Sequence, residues 1–485
     1  MKNRSRRKFI KSTAVTLAGL PLIKSVSIGG PSLQSNPIQL ENEKPGTWEW
    51  QLENQSFERE IEGYASHTSI NRGSSIKFYV NARESKYQLE VFRLGWYGGM
   101  GGRRMTNPIQ LTGTAQTIPQ PDPETGLIEC QWKVSYTLKV PKRADSTEWC
   151  SGIYVAKLTA LSSYKQSYIV FVVRDDDRPS TYLFQSSVTT FQAYNAWGGK
   201  SLYEFNSTDG RAYKVSFNRP YDDGDGTGQI VTGWAGWELN MLRFLEREGY
   251  DVTYCTNVDT HSKSTLLHTH KAFLSVGHDE YWSWQIRQNV ERALKNKAVN
   301  LAFFTANAAF WQIRFESDSS SQANRTMVCY KDAYLDDPYY YSASTRKYTT
   351  VQWRDPIVNR PEDALLGVMY EYYPVNGDLM VENTNHWVYA NTGLQDGDRL
   401  SGLLGYEADR IFGNAPSSLV RLAHSPLDAD GVVGFSDMTI YSLSNGAHVF
   451  ATGSIQFAWG LDDLYSGIVH PNLVSAPAQQ MTKNI

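Results

Sequence analysis

Cysteine is scarce in this chain: Cys130, Cys150, Cys255 and Cys329 are the only four among 485 residues. Four cysteines allow three complete pairings, and Cys130 with Cys150 is the expected bridge because both fall in one strand-rich region. Long apolar runs are missing too. No stretch approaches the roughly 20 residues that cross a bilayer, so no membrane span is expected. Charge of one sign is not in surplus: the formal net charge is -3, with no long run of either sign. That balance excludes the basic field of a nucleic-acid binder. Neither a G-x-S-x-G elbow nor an H-E-x-x-H helix occurs, and Cys255 closes a strand pattern without such an elbow, which argues against a cysteine nucleophile. The glycine-rich stretches 98–102 and 224–228 lack the strand–loop–helix setting of a phosphate loop. Residues 222–226 (Asp-Asp-Gly-Asp-Gly) lack the rest of a calcium loop and read as a polar turn. His268 and His270 have no carboxylate cluster nearby.

Aromatics, in contrast, are abundant, with 14 Trp and 29 Tyr. This load fits packed sheets and aromatic-lined pockets. The N-terminus reads Ser5-Arg6-Arg7-Lys8-Phe9-Ile10-Lys11, followed by a short apolar run over 14–23 that Gly19 and Pro21 interrupt. Paired arginines before so short a run read as a twin-arginine export signal over residues 1–27. The expected location is therefore the periplasm or the exterior. This route carries proteins that fold before crossing, often around a cofactor.

Residues 28–45, rich in Gly-Pro, Asn-Pro and Lys-Pro-Gly, read as a linker. From 46 to 175 short alternating runs at 74–80, 87–94, 136–140, 152–161 and 166–173 predict an all-β sandwich. The pattern changes at Asp175-Asp176-Asp177-Arg178-Pro179. Over 178–475 it predicts an α/β domain, with strands at 182–186, 251–255, 272–276 and 300–305 and helices over 237–248 and after Ser283. That rhythm implies a mainly parallel sheet covered by helices. Further strands are expected near 348–353, 419–422 and 447–452.

The segment Gly277-His278-Asp279-Glu280-Tyr281-Trp282-Ser283 falls where a buried strand gives way to a helix. In open parallel sheets, ligands bind beyond the carboxyl ends of the strands. His278 and Glu280 can share a site there, or His278 can be a hydrogen-bonded structural residue. Asn307 ends the next strand pattern and reads either as a second group on the same edge or as a helix N-cap.

This segment, taken with Phe191-Gln192-Ala193-Tyr194-Asn195-Ala196-Trp197-Gly198-Gly199-Lys200-Ser201-Leu202-Tyr203 and Val215-Ser216-Phe217-Asn218-Arg219-Pro220-Tyr221, resembles the N,N-dimethylformamidase large (beta) subunit family. Phe92-Arg93-Leu94-Gly95-Trp96-Tyr97-Gly98-Gly99 is similar to its β-sandwich half. The resemblance implies an Ig-like β-sandwich beside a class I glutamine amidotransferase-like α/β domain. It also implies amide hydrolysis at a mononuclear Fe(III), one per chain, held by two tyrosines and a glutamate. Carried across, the metal ligands are Tyr194, Tyr213 and Glu280, with Tyr203 and Tyr221 close by in sequence. The catalytic residues are His278, Asn307 and Glu407. The implied partners are a small amide-like substrate, a small second subunit and further copies of the chain.

Phenolate and carboxylate are hard oxygen donors that suit a trivalent cation. A free tyrosine titrates near ~10, so only strong local positive charge holds two phenols ionised at neutral pH. Two other outcomes stay open at this point. One is an exported, non-catalytic protein binding a carbohydrate or an envelope partner on the same architecture. The other is hydrolysis with a different metal.

Overall fold

The computed structural model describes residues 35–142, 148–222 and 236–485. The paired arginines and the apolar run that follows them lie outside the described residues, as does most of the turn 222–226. The chain is a mixed α/β protein with many strands in several sheets and few helices. Among the described residues no helix is long and apolar enough to cross a membrane.

Asn36–Ile485 form one unit by their contacts, within which the larger sheets divide near the Asp-rich hinge. Before it, Ile61–Ala65, Ser75–Ala82 and Tyr136–Lys139 form an antiparallel sheet of three. A six-stranded sheet faces it, with Lys86–Leu94, Gly152–Ala160 and Gln166–Arg174 at its centre. Ser75–Ala82 turns Ile76, Phe78 and Val80 inward to meet Leu89, Val91, Tyr154 and Phe171 from the opposite sheet, as a period of two requires. The larger sheet is buried on its other face as well. There Phe92, Leu94, Ile153 and Val155 share a core with Leu239, Leu242 and Phe244. Arg93 crosses this contact to Glu246 as a two-pronged ion pair, with N···O distances of 2.7 and 2.9 Å. Both side chains are fully buried.

After the hinge, Val252–Thr256, Tyr182–Ser186, Ala272–Gly277, Asn300–Thr305 and His448–Ala451 lie parallel in that order. Antiparallel Val432–Ser442 and Val420–Ala429 complete seven strands. Alternation splits each central strand between two cores. Phe184, Leu274, Ala302 and Phe304 pack with the helix Trp237–Arg247, whose Leu239, Leu242 and Leu245 form its apolar face. Leu183, Phe273, Leu301 and Phe303 pack with Ile286, Val290, Ala293 and Leu294 of Trp284–Lys297. Ser283 caps that helix as expected, accepting from the Ile286 N–H at 3.2 Å.

Three expectations need correction. The four cysteines are free and buried. Cys130 sits in a small cluster with Tyr64, Trp132 and Trp197, whereas Cys150 packs in the core shared with Ile153 and Phe244, so no bridge joins them. The linker reading fails over Pro37–Asn42, which is helical. Asn36 and Gln39 form a capping box there, Pro37 takes the first position and Ile38 is buried. No strand runs over 348–353. Asp337 accepts from the Thr350 backbone at 2.9 Å and Gln312 donates to the Thr349 carbonyl at 2.8 Å, so side chains occupy the groups that a ladder would use.

Candidate functional site

Ala272–Gly277 delivers the chain to the carboxyl edge of the sheet, where Gly277 turns it with φ +75°. A side chain at Gly277 would meet the Trp237 Cβ at 3.3 Å, so this sharp turn calls for glycine. Asp279 then points inward and is fully buried. Its carboxylate accepts from Gln185, Ser275 and Asn257, each at 2.8 Å, which ties the turn to three neighbouring segments. Glu280 is held by its backbone: its N–H donates to Thr190 Oγ1 at 3.0 Å, and its carbonyl accepts from Phe310 and Trp311 at 2.8 and 3.0 Å. Thr190 belongs to the helix Val188–Tyr194, so one helix both pins this loop and carries Tyr194 into the site.

Around Glu280 the oxygen donors converge. The Tyr203 hydroxyl lies 3.1 and 3.0 Å from the two Glu280 oxygens and accepts from the Tyr281 hydroxyl at 2.5 Å. The Tyr194 and Tyr203 ring centroids are 4.2 Å apart. His278 Nε2 lies 3.3 Å from Glu280 Oε2 and 3.1 Å from Glu407 Oε2, bridging two carboxylates from distant parts of the chain. Asn307 Nδ2 is 3.4 Å from the same nitrogen. Tyr194, Glu280, His278, Asn307 and Glu407 are thus brought together.

Tyr213 is not. Its ring stacks on Tyr330 at 4.9 Å under the Arg211 guanidinium, and among the described residues no hydrogen bond, ion pair or ring contact joins it to Glu280. Tyr203 stands at the carboxylate in its place. The N-cap reading of Asn307 is also set aside. Asn307 adopts φ +51°, its N–H donates to Asp409 Oδ1 at 2.8 Å, and a strand, Trp311–Glu316, follows it.

Two participants, Asp279 and Lys331, escaped the sequence reading, and a third, Tyr203, was named there only as a neighbour of the expected ligands. Asp279 sat inside the quoted motif without an assigned part. Tyr203 closed a quoted block. Lys331 had no local signal at all, yet its ammonium lies 3.3 Å from the Tyr203 ring centroid.

The electrostatics follow from burial and the two carboxylates. Burial opposes the His278 imidazolium, but Glu407, with Glu280 and Asp279 behind it, raises the ring to about 9. Burial, the His278 charge notwithstanding, raises Glu280, and Glu407 adds to this. Tyr194 and Tyr203 are pushed well above the ordinary phenol range by burial and then by Glu280. Burial also lowers the Lys331 ammonium to about 8, with Cys329 and Glu280 pulling the other way. An Nε2-protonated His278 has no use for the Asn307 NH2 as a neighbour. The buried Asn307 Oδ1 is without a partner among the described residues, and turning the amide over places that oxygen toward the imidazolium.

The donor set fits a hard trivalent cation. No group of three or more His, Cys, Asp or Glu side chains among the described residues has the geometry of a metal cage, so a cation at Glu280 depends on the phenols. Two tyrosines flank one carboxylate. Burial and Glu280 hold both phenols neutral, and a nearby multiple positive charge reverses that preference.

A model of the N,N-dimethylformamidase beta subunit-like, C-terminal family matches residues 88–471, a span that holds every residue of this cluster. No curated protein matches the chain. Among solved structures, the Pseudomonas fluorescens alkylpurine DNA glycosylase AlkC bound to DNA containing an abasic site analog aligns at 12% identity, with a TM-score of 0.15. That alignment covers 24% of this chain and 30% of the glycosylase.

Proposed function

Because this chain belongs to the N,N-dimethylformamidase beta subunit-like family, we propose that it is an exported, iron-dependent hydrolase of amide-like C–N bonds. The observation that carries this reading is the meeting of Tyr194, Tyr203 and Glu280 at one point, with His278 bridging Glu280 and Glu407. Tyr194, Tyr203 and Glu280 would hold one Fe(III) per chain. When bound, such an ion supplies Lewis acidity toward an amide carbonyl and toward water.

The chain's own residues supply the proton handling. His278, kept charged by Glu407 and Glu280, donates from Nε2 to the departing amine nitrogen as the C–N bond breaks. Glu407 stays beside the ring and orients it. The Asn307 amide, one face against His278, positions the amide carbonyl. Water adds the hydroxyl that leaves with the acyl group and its remaining proton restores His278, so the products are a carboxylic acid and an amine. The shape of the family architecture, an Ig-like sandwich beside a glutamine amidotransferase-like domain, belongs to the same proposal, as does a small second subunit.

Elemental analysis and visible spectroscopy of the purified protein test it. About one iron per chain with a tyrosinate-to-iron band supports the reading, and Tyr194→Phe is expected to remove the colour and most of the metal. Persistence of both overturns that ligand assignment. A colourless, metal-free protein that retains a carbohydrate would instead favour the non-catalytic binding protein.

A further inference from the structure

Away from Glu280, a crevice opens between the strand Gln166–Arg174 and the helix Val188–Tyr194. It encloses about 40 Å³ and opens to solvent, about 600 Å³ in all when that open space is counted, and Ile169, Val172, Phe191 and Phe217 give it apolar walls. Two guanidiniums stand in that wall, Arg219 at 1% exposure and Arg325 at 3%. Neither forms an ion pair among the described residues, whereas arginines this deeply buried are ordinarily paired.

Their existing bonds go mostly to neutral dipoles. Arg219 donates to the carbonyls of Trp197, Lys200 and Asn195 at 3.0, 2.7 and 2.9 Å, and its buried Nε has no partner among the described residues. Arg325 donates from Nε to Asn218 Oδ1 at 2.9 Å and from Nη2 to the carbonyls of Ala65 and Phe217 at 2.8 and 2.9 Å. Its Nη1 has no partner among the described residues. Asp318 acts on Arg325 only from a distance, and Asn218, Ser320 and Gln322 occupy its oxygens. Carbonyls orient a guanidinium without neutralising it. Burial accordingly pulls both side chains down to about 10.

We propose that this crevice is a second binding site, built for a carboxylic acid with a short apolar tail. The carboxylate would meet Arg325 and Arg219, for which a planar, two-oxygen anion is the matching shape. The tail would lie along Ile169, Phe191 and Phe217. Apolar walls of this kind favour a carboxylate with a tail over a bare, strongly hydrated inorganic anion. The inference is independent of the hydrolase reading, since it uses none of the Glu280 cluster.

Titration calorimetry on the full chain tests it with sodium hexanoate, 1-hexanol and sodium sulfate. Hexanoate is expected to bind saturably, at least about tenfold tighter than hexanol, as a charge-assisted hydrogen bond implies. Sulfate is expected to give no saturable heat. Val170→Phe, which pushes a ring into the crevice from a half-buried wall position, should weaken hexanoate by at least about tenfold with the melting temperature retained. Arg325→Gln should weaken it similarly. That arginine also ties two carbonyls, so if Arg325→Gln fails to fold, Val170→Phe decides. Hexanol binding as tightly as hexanoate, sulfate binding as well, or unchanged hexanoate affinity in Val170→Phe would each overturn the proposal.

Discussion

Glu238 is a carboxyl group folded into an apolar helix face. It lies on Trp237–Arg247, is 2% exposed, and accepts the Ser187 N–H at 2.7 Å through one oxygen. Its other oxygen and the Ser186 hydroxyl are buried without hydrogen-bond partners among the described residues. Burial raises this carboxyl to about 8, against 4.5 in the open chain, the Ser187 N–H bond and the influence of the nearby Ser186 hydroxyl offsetting only part of the cost. Because the folded value is the higher one, the folded state holds the proton more tightly. The contribution is therefore fully present below about pH 4.5 and is lost as pH rises through 8. A difference of about 3.5 units corresponds to roughly 5 kcal/mol at most, a large share of a typical stability of about 5–15 kcal/mol. Glu238→Gln keeps the shape, cannot ionise, and presents an NH2 to Ser186. Urea denaturation of both proteins at pH 5 and pH 9 reads the effect. The variant should match the parent near pH 5 and exceed it by several kcal/mol at pH 9. A stability difference that stays constant within about 1 kcal/mol across that range would refute a buried, proton-holding Glu238.

Three further outcomes separate the parts of the structure. His278→Ala should keep its iron while amide hydrolysis falls by about 10²–10⁴, measured as amine release; an unchanged rate removes the histidine from the reaction. Tyr203→Phe should abolish the tyrosinate band while Tyr213→Phe leaves it intact, and the reverse pattern would restore the ligand set expected from the family resemblance. Arg93→Met strips Glu246 of its buried partner and should cost about 3–5 kcal/mol; a melting temperature within a degree of the parent's would show that the sheet-to-helix contact does not depend on this pair.

Much of the fold was legible because its signals are local. The runs at 182–186 and 300–305 coincide with Tyr182–Ser186 and Asn300–Thr305, and Ser283 marks its helix start through a bond three residues away. The run 348–353 misled because Asp337 and Gln312, distant in sequence, capture its backbone groups. Helix Pro37–Asn42 was hidden by reading Asn36-Pro37 as a loop signal, although Gln39 three positions on completes a capping box.

By itself the sequence determined the periodicities, the turn at Gly277 and the placing of His278 and Glu280 at the edge of a parallel sheet, since each depends on residues within one or two turns of chain. Tertiary structure alone decided which phenol stands at the carboxylate. Tyr203 and Tyr213 are ten positions apart, and only the path of the coil after Val188–Tyr194 brings the first to Glu280 and leaves the second on Tyr330. The same holds for Glu407 and Lys331, which meet His278 and Tyr203 across long stretches of chain. Such meetings are set by how sheets and loops pack, and no spacing along the chain encodes them.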